Sequence, residues 1–245
     1  MRYSRRAMLQ VSKIRAISFD LDDTLWPIWP VIERAEKALI DWLGEHAPMT
    51  AALFASPTAL QEIRQHMHDV ILKTRPEIAH DLSAIRKESI RLALYRAGDN
   101  PLLADEAFKA FFAERNRVVY YDDAMPAIRA LSKRYPLVSL SNGNAQLDSV
   151  GLSTYFKAAV SATCFGVAKP DGRIFHEAAR LAGVEAHEIL HVGDDAAADV
   201  VGAIDAGMQA VWLNRQGKLW PDAYKQPTLE IASLVELTAL LCPLP

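Results

Sequence analysis

The chain has 245 residues, and 27 Lys and Arg against 30 Asp and Glu leave a net charge of -3, which argues against a nucleic-acid binder, whose phosphate contacts call for a basic excess. With 51% hydrophobic and 23% charged residues the composition is that of a soluble globular chain, and no window approaches the ~20 uninterrupted apolar residues of a membrane-spanning helix. Residues 1–13 are basic (Arg2, Arg5, Arg6) but lack the apolar stretch of a secretory signal, and two cysteines without C-x-x-C spacing, Cys164 and Cys242, point to a reducing cytoplasm.

The first apolar run, residues 14–19, reads as a short buried strand entering an acidic turn, Asp20 to Asp23. From residue 26 to residue 120 the apolar spacing is helical. Val31, Ile32, Ala35, Leu39, Trp42 and Leu43 form one stripe, and Leu60, Ile63, Met67, Val70 and Ile71 a second. Stretches 82–94 and 107–119 keep that period, which predicts a four-helix insertion. Beyond residue 120 strand and helix alternate: a helix near 127–135, a strand at 137–140, a weaker strand at 158–160, a helix over 171–183 and a strand at 189–192 ending at Gly193. A small-residue helix over 199–207, a strand at 210–213 and a last helix opened by a capping box at Ser233 and Glu236 complete the chain. The pattern predicts an α/β fold, a doubly wound parallel sheet formed by residues 1–25 and 121–245, with residues 26–120 inserted as an all-α cap.

In such a sheet the reactive crevice lies outside the carboxyl ends of the strands. Three strand ends deliver Asp20, Asp22, Asp23 and Thr24; Ser141, Asn142, Gly143 and Asn144; and Asp194, Asp195 and Asp199, with Lys169 ahead of a helix between the second and third sets. Each set has an ordinary reading by itself: turn acids, helix N-terminal acids stabilised by the macrodipole, a turn, a solvated lysine. Their joint occurrence favours chemistry. Carboxylates crowded together repel one another unless a cation sits among them, and oxygen-only ligands suit a hard ion such as Mg2+, which shares its shell with a substrate phosphate. Asp20 as a nucleophile would take the phosphoryl group, Asp22 would serve as acid and base, and Ser141 and Lys169 would hold the transferring oxygens. Asp23 and Thr24 are read as shaping the turn, and Trp26, Trp29 and Trp42 as core. In the cap, His80, Asp81, Arg86 and Lys87 are candidates for reading the substrate, with solvated helix residues as the competing reading. His66 and His68, two apart on a helix, face different ways and make no zinc site.

The four motifs, Asp20 to Leu25, Ser141 to Gly143, Lys169 with Pro170, and Gly193 to Asp195 with Asp199, resemble in order and role those of the haloacid dehalogenase superfamily, in particular its phosphatases, and the helical insertion resembles that superfamily's C1 cap. The resemblance implies a nucleophile at Asp20, an acid-base at Asp22, and Mg2+ held by Asp20, the backbone carbonyl of Asp22, and Asp194. It implies that Asp199 acts behind the metal ligands or steadies the lysine, and it leaves open the role of Asp195, an added acid read as also lying behind the ligands. Segments 76–81, 140–145 and 189–195 are further similar to phosphatases of the bacterial flavin pathway, which implies 5-amino-6-(5-phospho-D-ribitylamino)uracil or FMN as substrate and riboflavin biosynthesis as the setting. Phosphomutase and dehalogenase chemistry on the same fold, and a non-catalytic sensor of phosphorylated metabolites, are the alternatives. The expected partner is a small phosphorylated metabolite, with no nucleic acid and no membrane. Substrate is expected between core and cap, with hinges near residues 25–30 and 118–121.

Overall fold

The computed structural model describes residues 9–54 and 56–243. Arg2, Arg5, Arg6 and the side chain of Leu60 lie outside the described residues. The chain divides into two compact units: one holds the residues up to Pro27, Val119–Gly143 and those from Gly151 on, the other Ile28–Val118 with Asn144–Val150.

The first unit is built on six parallel strands: β1 (Ala16–Phe19), β2 (Leu137–Ser141), β3 (Ala158–Ser161), β4 (Ile189–Gly193), β5 (Gln209–Leu213) and β6 (Leu229–Ile231), in the order β3-β2-β1-β4-β5-β6. This is the doubly wound arrangement expected from the alternation of strand and helix. The central strands are buried along their whole length, as strands covered on both faces must be, which is why they read as continuous apolar runs. The strand order reverses at β1, so the ends of β1, β2 and β4 lie side by side. One face packs Ile174, Phe175 and Ala178 against Val138, Leu140 and Ala210.

The second unit contains α1 (Ile28–His46), α2 (Pro48–Phe54), α3 (Pro57–Thr74), α4 (Leu82–Ala97) and α5 (Ala104–Arg115), five helices where the apolar stripes indicated four. The added α2 has seven residues, too few to show a period. Its core gathers Leu39 and Leu43 of α1, Ile90 and Leu94 of α4, and Phe108 and Phe111 of α5. Asp81 caps α4 by accepting from the Ser83 and Ala84 amides, and Gly98 ends it at φ 85°, the left-handed geometry that glycine takes without a Cβ clash. The strand-end segment 144–150 belongs to this unit. The Asn144 amide donates to Ser83 Oγ at 2.9 Å and the Gln146 amide to Asn116 Oδ1 at 2.9 Å, contacts that no periodicity announces.

The remaining helices are α6 (Ala124–Leu131), α7 (Ala162–Phe165), α8 (Gly172–Ala182), α9 (Gly202–Asp205) and α10 (Leu234–Leu241). α6 starts and stops earlier than the expected 127–135; Tyr135 precedes Pro136 and is steered away from helical geometry, which bars the helix from reaching that far. The helix expected over 199–207 is a π-helical turn, Ala196–Val201, followed by α9. Trp26 is fully buried, as expected, whereas Trp29 is 71% exposed and is not a core residue. Among the described residues no helix is long and apolar enough to cross a membrane.

Candidate active site

The end of β1 sets the first two carboxylates. The Asp20 amide donates to Val192 O of β4 at 2.9 Å, extending the ladder by one residue. The chain then turns sharply, with Asp23 at φ 57° and the Asp23 amide donating to Trp26 O at 2.7 Å. This turn brings the Trp26 indole N–H to Asp22 Oδ1 at 2.9 Å, so a buried aromatic ring holds the Asp22 carboxyl. Thr24 is also fully buried, and its hydroxyl lies 3.3 Å from Asp20 Oδ2 and 3.4 Å from Asp194 Oδ1. It bridges the acids of two strand ends, more than the turn-shaping role the sequence assigned it.

At the end of β2, Ser141 Oγ accepts from the Gly143 amide at 3.0 Å. Both ends of the Asn142 side chain engage the Lys169 main chain: Nδ2 donates to Lys169 O at 3.0 Å, and Oδ1 accepts from Lys169 N at 2.7 Å. Asn142 therefore fastens the lysine's backbone. At the end of β4 the Trp212 indole donates to Asp194 O at 2.8 Å. Asp195 caps the π-helical turn through the Ala197 and Ala198 amides, which gives the fifth acid a structural task. Gly193 is required by crowding, because a Cβ there would stand 2.3 Å from Asp199 Cγ.

Lys169 joins these pieces. Its ammonium, on a side chain 3% exposed, donates to Asp20 Oδ1 at 2.6 Å and to Asp199 Oδ1 at 2.5 Å. Burial alone would lower the lysine's pKa, but the two carboxylates outweigh it and raise it. Burial likewise works against the Asp199 charge, yet Lys169 and His191 prevail and hold it low. Asp20 moves the other way: burial, with Asp199 and Asp194 nearby, raises its pKa well above the usual carboxylate range despite Lys169. Asp194 is pushed up to about 7 by burial and by Asp199, Asp23 and Asp195. One lysine thus faces three acids.

Carboxylate oxygens of Asp20, Asp194 and Asp199 all lie within 4.8 Å of one another. This all-oxygen set, short of positive charge, suits a hard divalent cation. Asp199 is already committed, Oδ1 to Lys169 and His191 and Oδ2 to the Asp195 amide at 3.0 Å. Of these three carboxylates, Asp20 and Asp194 are the ones left to hold a metal.

Arg86 lies in the helical unit, its guanidinium 4.0 Å over the Phe111 ring and 3.8 Å from Glu36 Oε1. Burial and the neighbouring Arg64 lower its pKa to about 10. Asp81, a candidate for reading the substrate, is the α4 cap described above. His191 and Arg215 were missed in the sequence. His191 stands two residues before a glycine in an apolar run and reads as strand filler. Arg215 forks onto Asp123 at 2.9 and 3.0 Å and donates to Thr24 O at 3.1 Å. Its place directly beyond a strand end was the available signal.

The family of haloacid dehalogenase-like hydrolases matches residues 14–207. The 5-amino-6-(5-phospho-D-ribitylamino)uracil phosphatase YigB of Escherichia coli is 35% identical over 242 residues, covering 94% of this chain and 98% of that protein. A phosphoserine phosphatase of Thermus thermophilus is 35% identical over 158 residues, 62% of this chain and 63% of its own. Among solved structures, a 2-haloacid dehalogenase from Pseudomonas syringae pv. Tomato superposes with a TM-score of 0.85 at 40% identity, over 93% of this chain and 98% of that one. The chain belongs to the haloacid dehalogenase-like hydrolases and takes its place beside the phosphatases of that family.

Proposed function

We propose that this hydrolase of phosphate esters is a magnesium-dependent phosphomonoesterase that works through an aspartyl-phosphate on Asp20. The observation that carries the reading is the largely buried cluster in which Lys169 Nζ lies 2.6 Å from Asp20 and a carboxylate oxygen of Asp194 lies within 4.8 Å of one of Asp20. Asp20 attacks phosphorus, the ester oxygen leaves, and Asp22, steadied by the Trp26 indole, gives that oxygen its proton. Asp22 then takes a proton from the water that attacks the phosphoryl-aspartate, so phosphate is released and both carboxyls return to their starting states. Lys169 and Ser141 bind the transferring oxygens throughout, and Thr24 keeps Asp20 and Asp194 facing each other. A bound Mg2+, held by Asp20, Asp194 and the Asp22 carbonyl, would supply charge neutralisation that lets the phosphate approach these acids.

The substrate we propose is a small phosphorylated metabolite, with 5-amino-6-(5-phospho-D-ribitylamino)uracil and FMN the first to test, given the likeness to YigB over nearly the whole of both chains. Arg86 is retained as a candidate for reading the non-reacting end of the substrate. The 40% identity to a protein named as a 2-haloacid dehalogenase favours a second reading, halide displacement from carbon. Asp22 speaks against it, because that displacement needs no proton donor at this position.

The deciding experiment is phosphate release by purified protein with magnesium from a panel holding those two compounds, phosphoglycolate and hexose phosphates, beside halide release from 2-haloacids. Phosphate release abolished in Asp20→Asn supports the proposal. Halide release alone overturns it in favour of the dehalogenase, return of the phosphoryl group to a sugar phosphate in the presence of a sugar bisphosphate activator, without phosphate release, in favour of the mutase, and no turnover in favour of a sensor.

A further inference from the structure

Asp199 is one of the two carboxylates that anchor the Lys169 ammonium, and Asp199 is itself met by a group outside the four motifs. His191, on β4, is fully buried, and its Nε2 lies 3.2 Å from Asp199 Oδ1 while its Nδ1 lies 2.8 Å from Ser18 Oγ on β1. Ser18 and His191 are direct neighbours across the parallel pair. The Phe175 ring meets the imidazole edge-on at 5.2 Å and fixes its plane.

These contacts put a hydrogen on Nε2, and burial selects the neutral ring among the forms that carry one. Asp199 is ionised and can only accept, so Nε2 carries the hydrogen and donates it. Nδ1 of the neutral ring then accepts, and the Ser18 hydroxyl is the donor that satisfies it. Burial favours this neutral form, lowering the pKa of His191. The result is a directed chain, Ser18 to His191 to Asp199, meeting Lys169 on the same carboxylate oxygen.

We propose that His191, held by Ser18 in its Nε2–H tautomer, is a positioning residue that aims Asp199 at Lys169 and so fixes the lysine where the transferring phosphoryl group must be met. Before reaction Lys169 has two anchors, Asp20 and Asp199. Once Asp20 has taken the phosphoryl group its carboxylate charge is gone, and Asp199 alone holds the ammonium against the transferring oxygens. His191 therefore matters more to the reacting complex than to the bound ester, and its loss falls on kcat rather than KM.

This inference rests on the phosphatase reading, and the test separates the two: no phosphate release by the unmodified protein defeats that reading, whereas an active protein indifferent to His191 defeats this inference alone. His191→Leu should lower kcat by about 10- to 100-fold, the usual cost of losing a partner behind a catalytic group, with KM nearly unchanged. His191→Gln, which can still present an N–H to Asp199, should recover most of that loss. Ser18→Ala keeps the imidazole but removes the donor that sets its tautomer, and should lower kcat by a smaller factor. Nitrogen NMR of the histidine-labelled unmodified protein, with the His191 signal identified by its absence in the variant, should show a neutral ring protonated on Nε2. The inference is overturned by an unchanged kcat in folded His191→Leu, by His191→Gln as impaired as the leucine variant, or by the opposite tautomer. Should His191→Leu not fold, Ser18→Ala and the NMR signal decide by the same criteria.

Discussion

Replacing Lys169 by methionine keeps most of the length of the side chain and removes the cation between Asp20 and Asp199, which it meets at 2.6 and 2.5 Å. Both carboxylates are buried, at 7% and 1% exposure, and breaking a buried pair by removing one partner costs about 3–5 kcal/mol. For a protein of this size each kcal/mol shifts the thermal midpoint by roughly 2–4 °C, so the metal-free variant should melt roughly 6–20 °C lower near neutral pH. The pH dependence gives a second check. In the unmodified protein the raised lysine pKa contributes stability that is present below the unfolded value and lost as pH rises above it. The depressed Asp199 pKa contributes stability present above its unfolded value and lost on acidification. Without the lysine, burial governs both acids and their folded pKa values rise, so the native variant binds protons more readily than the unfolded chain and gains stability as pH falls. The gap to the unmodified protein should narrow between about pH 7.5 and pH 5.5. Thermal unfolding in chelator at both pH values reads the stability, and phosphate release should fall by about 10²–10³, as for loss of one charge-stabilising donor. An unchanged midpoint at neutral pH, or a gap that widens on acidification, would refute the reasoning.

Two other expectations follow from the same cluster. Gly193→Ala would force a methyl group to within 2.3 Å of the Asp199 carboxyl; displacement of that side chain should cost about 1–3 kcal/mol and lower activity sharply, and full activity with an unchanged melting point would count against the packing described. With the Asp194 pKa raised to about 7, the native metal-free protein holds a proton there that the unfolded chain loses. Protons should therefore compete with magnesium below neutrality, weakening it by up to roughly tenfold per pH unit, and binding should release a proton at pH values below about 7 and progressively less above it. Calorimetric titration in buffers of different ionisation heat measures both, and an affinity independent of pH from about 6 to 8 would contradict it.

What the sequence disclosed, and what it hid, divides by the range of the interaction. Buried parallel strands leave continuous apolar runs, so β1, β2, β4 and β5 are legible from residues such as Ile17, Leu140, Val192 and Val211, and with them the places where the motif acids emerge. Short elements are not: β6 has three residues and α7 four, below the length at which any period shows. The π-helical turn is set by the Asp195 cap and by the fit of Asp199 beneath Gly193, a contact without a one-dimensional trace. Asn142 reads as a turn residue, yet its amide spans 27 positions to grip Lys169. His191 and Ser18 are 173 residues apart, and only strand pairing makes them neighbours. Trp29 reads as core by composition but stands exposed on the first turn of α1.

The central claim, that Asp20 is the atom donor to phosphorus, is tested most directly by acid-quenching the protein during turnover of a phosphate ester with magnesium and mapping peptides by mass spectrometry. The account requires a phosphoryl group on Asp20 that disappears as the substrate is exhausted and never forms in Asp20→Asn. Steady phosphate release with no phosphoryl group on Asp20, or an Asp20→Asn protein that turns over at the unmodified rate, would contradict it.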